Sequence, residues 1–240
     1  DLKIINQLLR IHKDSMLKYE RICKEFKKNY NKIIIRHKDN CLVISKSKLI
    51  QYEIEEIKIF FYFYINKLLK TEIQKRSKGL WAQFIKFINQ SRTGSIFKID
   101  RLTIINNRNQ LIVVKDYGNL KKVNRVRLCD DLEWYSGRFK LERSSQLKVS
   151  TNKTLYTIPK TLYDNGLYIR SWKNGDRMHS STLNKKILIS DLYINNKLSI
   201  YEKLIQPVVV DKLDEILWIP GLLHGKISLK DSDKKEVINW

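Results

Sequence analysis

The sequence predicts an α+β protein, with a helical N-terminal half carrying β-hairpins and a small mixed α/β domain after it. Three observations carry that expectation. Apolar residues recur at three- and four-residue steps in three stretches before residue 90, which is the period of a helix with one buried face. Past residue 130 the pattern changes to short β-branched and aromatic runs separated by polar turns. The 240 residues are 42% hydrophobic, enough for two real cores, and 8 Gly with 3 Pro leave little flexible linker between them. A polar, basic stretch from Lys115 to Asp131 marks the boundary, giving domains 1–118 and 119–240.

Taken in order, Asp1 to about Lys28 is expected to be helical, with Leu2, Ile5, Leu8 or Leu9, His12, Met16 and Tyr19 on one seam. Its other face carries Lys13, Lys18, Arg21, Lys24, Lys27 and Lys28, which suit a solvated helix face as well as a polyanion. Lys32–Arg36 and Cys41–Ser45 then read as a hairpin around a four-residue polar turn, His37 to Asn40. Ser47 is placed to cap a long helix whose seam is Ile50, Ile54, Ile57, Phe61, Tyr64 and Leu68. A basic joint containing Lys67, Lys70, Lys75, Arg76 and Lys78 leads to a second helix, about Lys78 to Gln90. Trp81 sits beside that joint and fits either core packing or stacking on a base. Strands follow at Ile96–Ile99, Leu102–Ile105 and Leu111–Val114, the last two turned by Asn106 to Asn109.

Beyond the boundary, strands are expected at Leu132–Tyr135, Phe139–Glu142, Gln146–Val149 and Thr154–Ile158. The last quarter is a module of its own. A strand, Leu167–Trp172, breaks at Asn174-Gly175, residues that tolerate the positive φ of a tight turn. Helices are expected from Lys185 to Tyr193 and from Ser199 to Leu204, stopping before Pro207. Pro207–Asp211 and Glu215–Gly221 close the module as two strands.

The formal charge is +22 and the pI about 9.8, a field that attracts polyanions, of which nucleic-acid backbones are the commonest. The basic residues are 34 Lys to 13 Arg, so drift toward A/T-rich codons, which raises Lys, Ile, Asn and Tyr together, is the competing source of that charge. Cys23, Cys41 and Cys129 are odd in number and far apart, as reduced, inert thiols would be, and they form no metal-ligand spacing with the four histidines. The longest aromatic-apolar run, Ile59 to Ile65, is far short of the roughly 20 residues of a membrane span. The expectation is a cytoplasmic protein without a membrane or metal site.

No self-sufficient catalytic site is expected. The chain contains no dinucleotide-binding glycine fingerprint, no H-E-x-x-H and no G-x-S-x-G, and Ser91 to Ser95 lacks the ending of a phosphate loop. Asp130-Asp131 and Glu55-Glu56 are sequence neighbours that face apart, and His179 stands alone. The chain does offer a docking surface: Arg170, Lys173, Arg177, Lys185, Lys186, Lys197 and Lys203 within one module, with Trp172 and Tyr193 between them. Lys75, Arg76 and Lys78 form a second basic candidate. Such residues set orientation on a phosphate backbone and supply salt-dependent affinity. Asp176 equally suits pairing with Arg170 or Arg177 to hold the turn.

Arg170-Ser171-Trp172-Lys173-Asn174-Gly175-Asp176-Arg177 resembles the R-S-x-x-x-G-D-R segment in the C-terminal domain of bacterial tRNA(Ile)-lysidine synthetases. Lys185-Lys186, Ser190 to Tyr193, Leu198 to Pro207, Val208 to Asp211 and Glu215 to Gly221 follow in that domain's order, over about 55 residues. Ser91 to Val114 resembles the end of the family's middle domain more faintly. The resemblance implies the fold that this domain shares with a synthetase β subunit. It also implies an ATP- and magnesium-dependent ligase that joins lysine to the first anticodon cytidine of the isoleucine tRNA with a CAU anticodon. tRNA is the implied partner, chiefly its acceptor stem, with assembly as a homodimer left open. The family's nucleotide-binding S-G-G-x-D-S run does not occur here, so no catalytic residue carries over and no cofactor is expected in this chain. With a chain that opens at Asp1, the expectation is the tRNA-gripping back part of such an enzyme, inactive alone. The alternative is a stand-alone, non-catalytic RNA-binding or assembly module.

Overall fold

A computed structural model of the chain describes residues 32–74, 77–120, 125–143, 152–181, 185–227 and 235–240, together with residues 4–7, 9–10, 13–14, 16–17, 20, 24 and 29. Two compact units emerge, Asp1–Tyr117 and Gly118–Trp240. The architecture is α+β, with antiparallel sheets throughout and helices packed against them.

In the first unit every described position between Ile4 and Ile33 is helical. Ile5, Leu9 and Met16 of the expected seam are exposed, as are Ile4 and Leu17. Leu2, Leu8, His12 and Tyr19 lie outside the described residues. The hairpin forms from β1 (Ile34–Lys38) and β2 (Cys41–Ser45). Its turn is tighter than expected, only Asp39-Asn40, because Asp39 takes the left-handed conformation (φ 42°) that short polar side chains tolerate.

Ser47 caps nothing. A single turn, α1 (Lys46–Leu49), follows directly on β2, and the long helix starts later at α2 (Ile54–Ile59), where the Glu56 carboxylate accepts the Glu53 N–H at 2.8 Å. It continues through a π-helical stretch, Phe60–Ile65, into α3 (Asn66–Leu69). A π turn holds more residues than an α turn, so it rotates the buried face. Ile57 and Phe61 are buried as the 3.6-residue period predicts, but beyond them Ile65 and Leu69 occupy the core in place of Tyr64 and Leu68. The helix stops where Lys70 turns left-handed (φ 45°).

Ser77 caps α4 (Lys78–Gln90) by accepting the Leu80 N–H. Trp81 is core: fully buried, packed edge-on to Phe61 and Phe84, with its indole N–H donated to the Tyr62 hydroxyl at 3.1 Å. β3 (Ile96–Ile99), β4 (Leu102–Asn107) and β5 (Gln110–Lys115) complete a five-stranded sheet in the order β1-β2-β5-β4-β3. Leu42, Ile44, Leu102, Ile104, Leu111 and Val113 face the helices in one core, and the alternate residues Val43, Ile105, Ile112 and Val114 are buried as well.

Among the described residues the second unit holds two larger sheets and a two-stranded ribbon. β7 (Asp131–Trp134), β8 (Gly137–Arg143), β9 (Leu155–Pro159) and the final strand of the chain, Lys235–Asn239, form one in the order β7-β8-final-β9. The final strand therefore pairs on both sides, which the polar composition of Lys235-Glu236 conceals in the sequence. The expected strand Gln146–Val149 lies outside the described residues. A short helix, α5 (Lys160–Asp164), links this sheet to the next.

That second sheet is built on β10 (Tyr168–Ser171), edged by β6 (Val126–Arg127). β11 (Arg177–His179) and β12 (Lys186–Leu188) form a separate two-stranded ribbon. The helix expected from Lys185 starts only at α6 (Ile189–Asn195), because Lys186-Ile187-Leu188 is consumed in pairing with β11. α7 (Ile200–Ile205) opens with a capping box, Ser199 Oγ accepting from Glu202 N and the Glu202 carboxylate accepting from Ser199 N. β13 (Pro207–Val210), β14 (Ile216–Ile219) and β15 (Leu223–His224) complete the order β15-β14-β13-β10-β6.

The run Pro207-Val208-Val209-Val210 is apolar throughout because this sheet has a core on each face. Val209 points with Ile169 and Trp218 toward Phe139, Tyr156, Ile158 and Ile238 of the other sheet. Val208 and Val210 point the opposite way, toward Met178, Ile189 and Tyr193. Gly225 lies against the backbone of β14, where an added Cβ would fall 2.5 Å from the Leu217 carbonyl oxygen. Gly225→Ala is expected to destabilise the unit by about 2 kcal/mol through that overpacking, measured as a shift in the urea midpoint. An unchanged midpoint would contradict the fit.

Candidate nucleic-acid interface

The turn after β10 is held from inside. Gly175 (φ 87°) supplies the third position of a four-residue turn closed by Asp176 N–H to the Lys173 carbonyl, the type II pattern that glycine serves. Asn174 needs no such conformation. Arg170 is only 3% exposed, and its guanidinium is spent within the protein. It grips the Asp176 carboxylate with two N–H groups, at 2.8 and 3.1 Å, and donates through Nε to Asp214 at 2.7 Å. Asp176 also accepts the Lys173 backbone N–H at 2.7 Å, and its own carbonyl accepts from Ile189 N at the start of α6. Arg170 therefore offers no face to a ligand: it pins two turns, 172–176 and 211–215, to the same strand. Burial alone would raise the pKa of Asp214, but Arg170 and Lys173 outweigh it and hold the carboxyl below its ordinary value.

Lys78, Lys173, Arg177, Lys185, Lys186 and Lys197 face outward. Lys173 has a side chain 64% exposed, with Nζ 3.1 Å from Asp214. On the β11–β12 ribbon the pairs are Arg177↔Leu188, Met178↔Ile187 and His179↔Lys186. Opposite residues share a face, so Arg177 and Lys186 lie on one exposed side while Met178 is buried on the other. Lys185 is exposed beside them, its carbonyl accepting the Ser180 N–H. Lys203 sits half-buried in the last turn of α7, where a cation complements the helix dipole. In the first unit Lys78 is exposed at the start of α4, and Lys75 and Arg76 lie outside the described residues.

Spacing gave no hint of three further groups. Arg125 donates to the Asp211 carbonyl at 2.6 Å and lies 3.9 Å over the Tyr168 ring, Lys212 is exposed, and Asp214 closes the clamp on Arg170. Arg125 and Asp214 stand 41 to 86 residues from their partners among Lys173, Arg170 and Asp211, so only the fold unites them.

The acidic pairs have structural partners. Asp131 is forked to Arg138, Asp130 accepts from the Tyr163 hydroxyl at 2.9 Å, and Glu55 holds Lys58 at 2.6 Å. Cys129 is exposed, its thiol donating to the Asp131 carbonyl at 3.3 Å. Among the described residues no group of three or more His, Cys, Asp or Glu is placed to hold a metal ion, and no helix is long and apolar enough to cross a membrane.

Trp172 packs edge-on to buried Tyr193, whose phenol burial pushes above its ordinary pKa. His224 stacks on Tyr156 at 5.3 Å, and its Nε2 is buried without a hydrogen-bond partner. Burial lowers its pKa below the ordinary 6.5, and the charge of Lys153 acts the same way. As pH falls below about 6.5, the unfolded chain takes up a proton that folded His224 resists. Stability is expected to fall from there until the folded value is passed. His224→Phe should flatten that slope in urea titrations, and an unchanged slope would place its origin elsewhere.

No protein-family model matches the chain. Over 78 residues it is 33% identical to the tRNA(Ile)-lysidine synthase of Bacillus licheniformis, and over 56 residues 41% identical to that of Bacillus subtilis. The chain shares a segment with tRNA(Ile)-lysidine synthases. That segment is 32% of this chain in the first match and 23% in the second, but only 16% and 12% of those synthases. A crystal structure of the TILS C-terminal domain aligns with a TM-score of 0.42 at 20% identity, covering 49% of this chain and 94% of that domain.

Proposed function

We propose that the second unit docks RNA and that its ligand is tRNA, the molecule in the name of the lysidine synthases it resembles. One observation carries the proposal. The β11–β12 ribbon displays Arg177 and Lys186 on one exposed side, with Lys185 beside them and Lys173 on the neighbouring turn. A rigid scaffold carrying outward cations suits a duplex RNA, whose narrow major groove leaves phosphates, 2′-hydroxyls and shape to be recognised. The exclusion of Arg170 from that surface leaves the affinity to Lys173, Arg177, Lys185 and Lys186, with Lys203, Lys75, Arg76 and Lys78 as secondary candidates.

In this proposal the chain serves a lysidine-forming ligase of the cytoplasm. It grips the isoleucine tRNA with the CAU anticodon while lysine is joined to cytidine, with ATP and magnesium, at residues other than these. A homodimer is one arrangement in which it would work. Competition binding with the isoleucine, methionine and an unrelated tRNA tests the assignment. A preference for the isoleucine tRNA is expected. Equal affinity would favour the stand-alone RNA-binding module, and no binding at low salt would reject RNA docking.

A further inference from the structure

Two uncovered apolar surfaces of opposite charge lie in the first unit. One is a stripe on the N-terminal helix, where Ile5, Leu9 and Met16 are 55%, 59% and 50% exposed. Steps of four and seven residues keep them on one side of a helix, over a length of about 16 Å. The segment is basic: Lys3, Arg10, Lys13 and Lys18 stand against Asp14, which falls on the side away from the stripe.

The other surface is a groove of about 320 Å³ between α2 and α4, walled by Ile50, Tyr52, Ile54, Ala82 and Ile85. Residues 51–57 along one edge hold Glu53, Glu55 and Glu56 and no basic residue, in a chain of charge +22. Lys58 takes Glu55 at 2.6 Å, which leaves Glu53 and Glu56 without an ion-pair partner among the described residues. Lys86 is exposed on the α4 side, so the acidic rim belongs to α2.

We propose that the N-terminal helix of one copy seats in the α2–α4 groove of a second copy, and that the two copies exchange helices reciprocally. Ile5, Leu9 and Met16 then meet the apolar walls, and Lys13 lies toward Glu53 and Glu56. An apolar helix stripe in an apolar groove is a common mode of recognition, and the acidic rim selects a basic helix while repelling RNA. The chain's own groove leaves the stripe exposed. Every described position from Ile4 to Ile33 is helical, and a helix of that length spans about 45 Å and does not double back. Exchange about a two-fold axis covers both stripes and both grooves and closes the assembly at two copies. This gives the homodimer a contact surface and does not rest on RNA docking.

The test uses the full chain with Cys23→Ser and Cys129→Ser, which leaves buried Cys41 as its native thiol. Leu9→Cys protein is mixed with Ala82→Cys protein and treated with a short bismaleimide. A product of twice the 28.7 kDa chain mass is expected from the mixture and not from either protein alone. Leu9→Cys linking to itself would mean that stripe packs on stripe. A link within the Leu9→Cys/Ala82→Cys double variant, with none in the mixture, would mean that the helix closes on its own groove. Either result overturns the proposal. By light scattering the parent should be a dimer, and Leu9→Glu and Ala82→Arg should each be monomers with an unchanged urea midpoint, since both positions are exposed. A parent that stays monomeric at every concentration also overturns it. tRNA affinity is read separately, because neither variant touches the cations of the β11–β12 ribbon.

Discussion

Replacing Arg170 with methionine is expected to lower folding stability by about 3 kcal/mol, the largest loss from any single polar residue of the second unit. Methionine keeps much of the volume but removes the fork. The Asp176 carboxylate, with a side chain 11% exposed, would then stay buried without its counter-charge. Asp214 would lose one of its two cations, keeping only Lys173. Both turns, 172–176 and 211–215, hang on that guanidinium, so the loss should propagate to the start of α6 through the Asp176 carbonyl. Arg170→Lys should recover little, because an ammonium cannot grip a carboxylate with two parallel N–H groups while also reaching Asp214. Combining Arg170→Met with Asp176→Leu should recover more than half of the loss, since an apolar pair needs no counter-charge. Urea titration measures each. A loss under 1 kcal/mol for Arg170→Met, or no recovery in the double variant, would show that the network is not what holds the turns.

The second large effect is on binding. Simultaneous Arg177→Ala, Lys185→Ala and Lys186→Ala should leave stability within about 0.5 kcal/mol of the parent, because all three side chains are exposed. The same variant should bind tRNA on the order of a hundredfold more weakly. Its salt slope should lose about two to three units, near one for each phosphate contact removed. A loss of affinity without a loss of slope would mean the ribbon acts by shape alone. An unchanged affinity would move the interface elsewhere.

How far the sequence foretold this molecule depended on how local each determinant is. The α+β class was legible because Ile57, Phe61, Phe84 and Ile88 follow the helical period and Val208 to Val210 form a β-branched run of strand length. The phase of the long helix was not, since a π-helical stretch moved the buried positions to Ile65 and Leu69 without any Gly or Pro to announce it. Lys186-Ile187-Leu188 read as the start of a helix because its β partner, Arg177–His179, looks like part of a turn when taken alone. The final strand was missed for a related reason: Glu236 is charged yet nearly inaccessible between two neighbours that the sequence does not connect to it. In the site, the basic residues were countable but their roles were not. Arg170 and Arg177 flank the same turn, and only the fold shows that one is internal and the other external. What separates them is Asp214, distant in sequence and brought close by the β13–β14 turn.

The most direct measurement of the central claim is the affinity of the full chain for fluorescently labelled tRNA as salt rises from about 50 to 200 mM. With Lys173, Arg177, Lys185 and Lys186 on phosphates, affinity should fall roughly a hundredfold across that range, as expected for about four released counterions. An affinity that stays flat with salt, or no binding even at the lowest salt, would contradict an outward-facing cationic surface built for RNA.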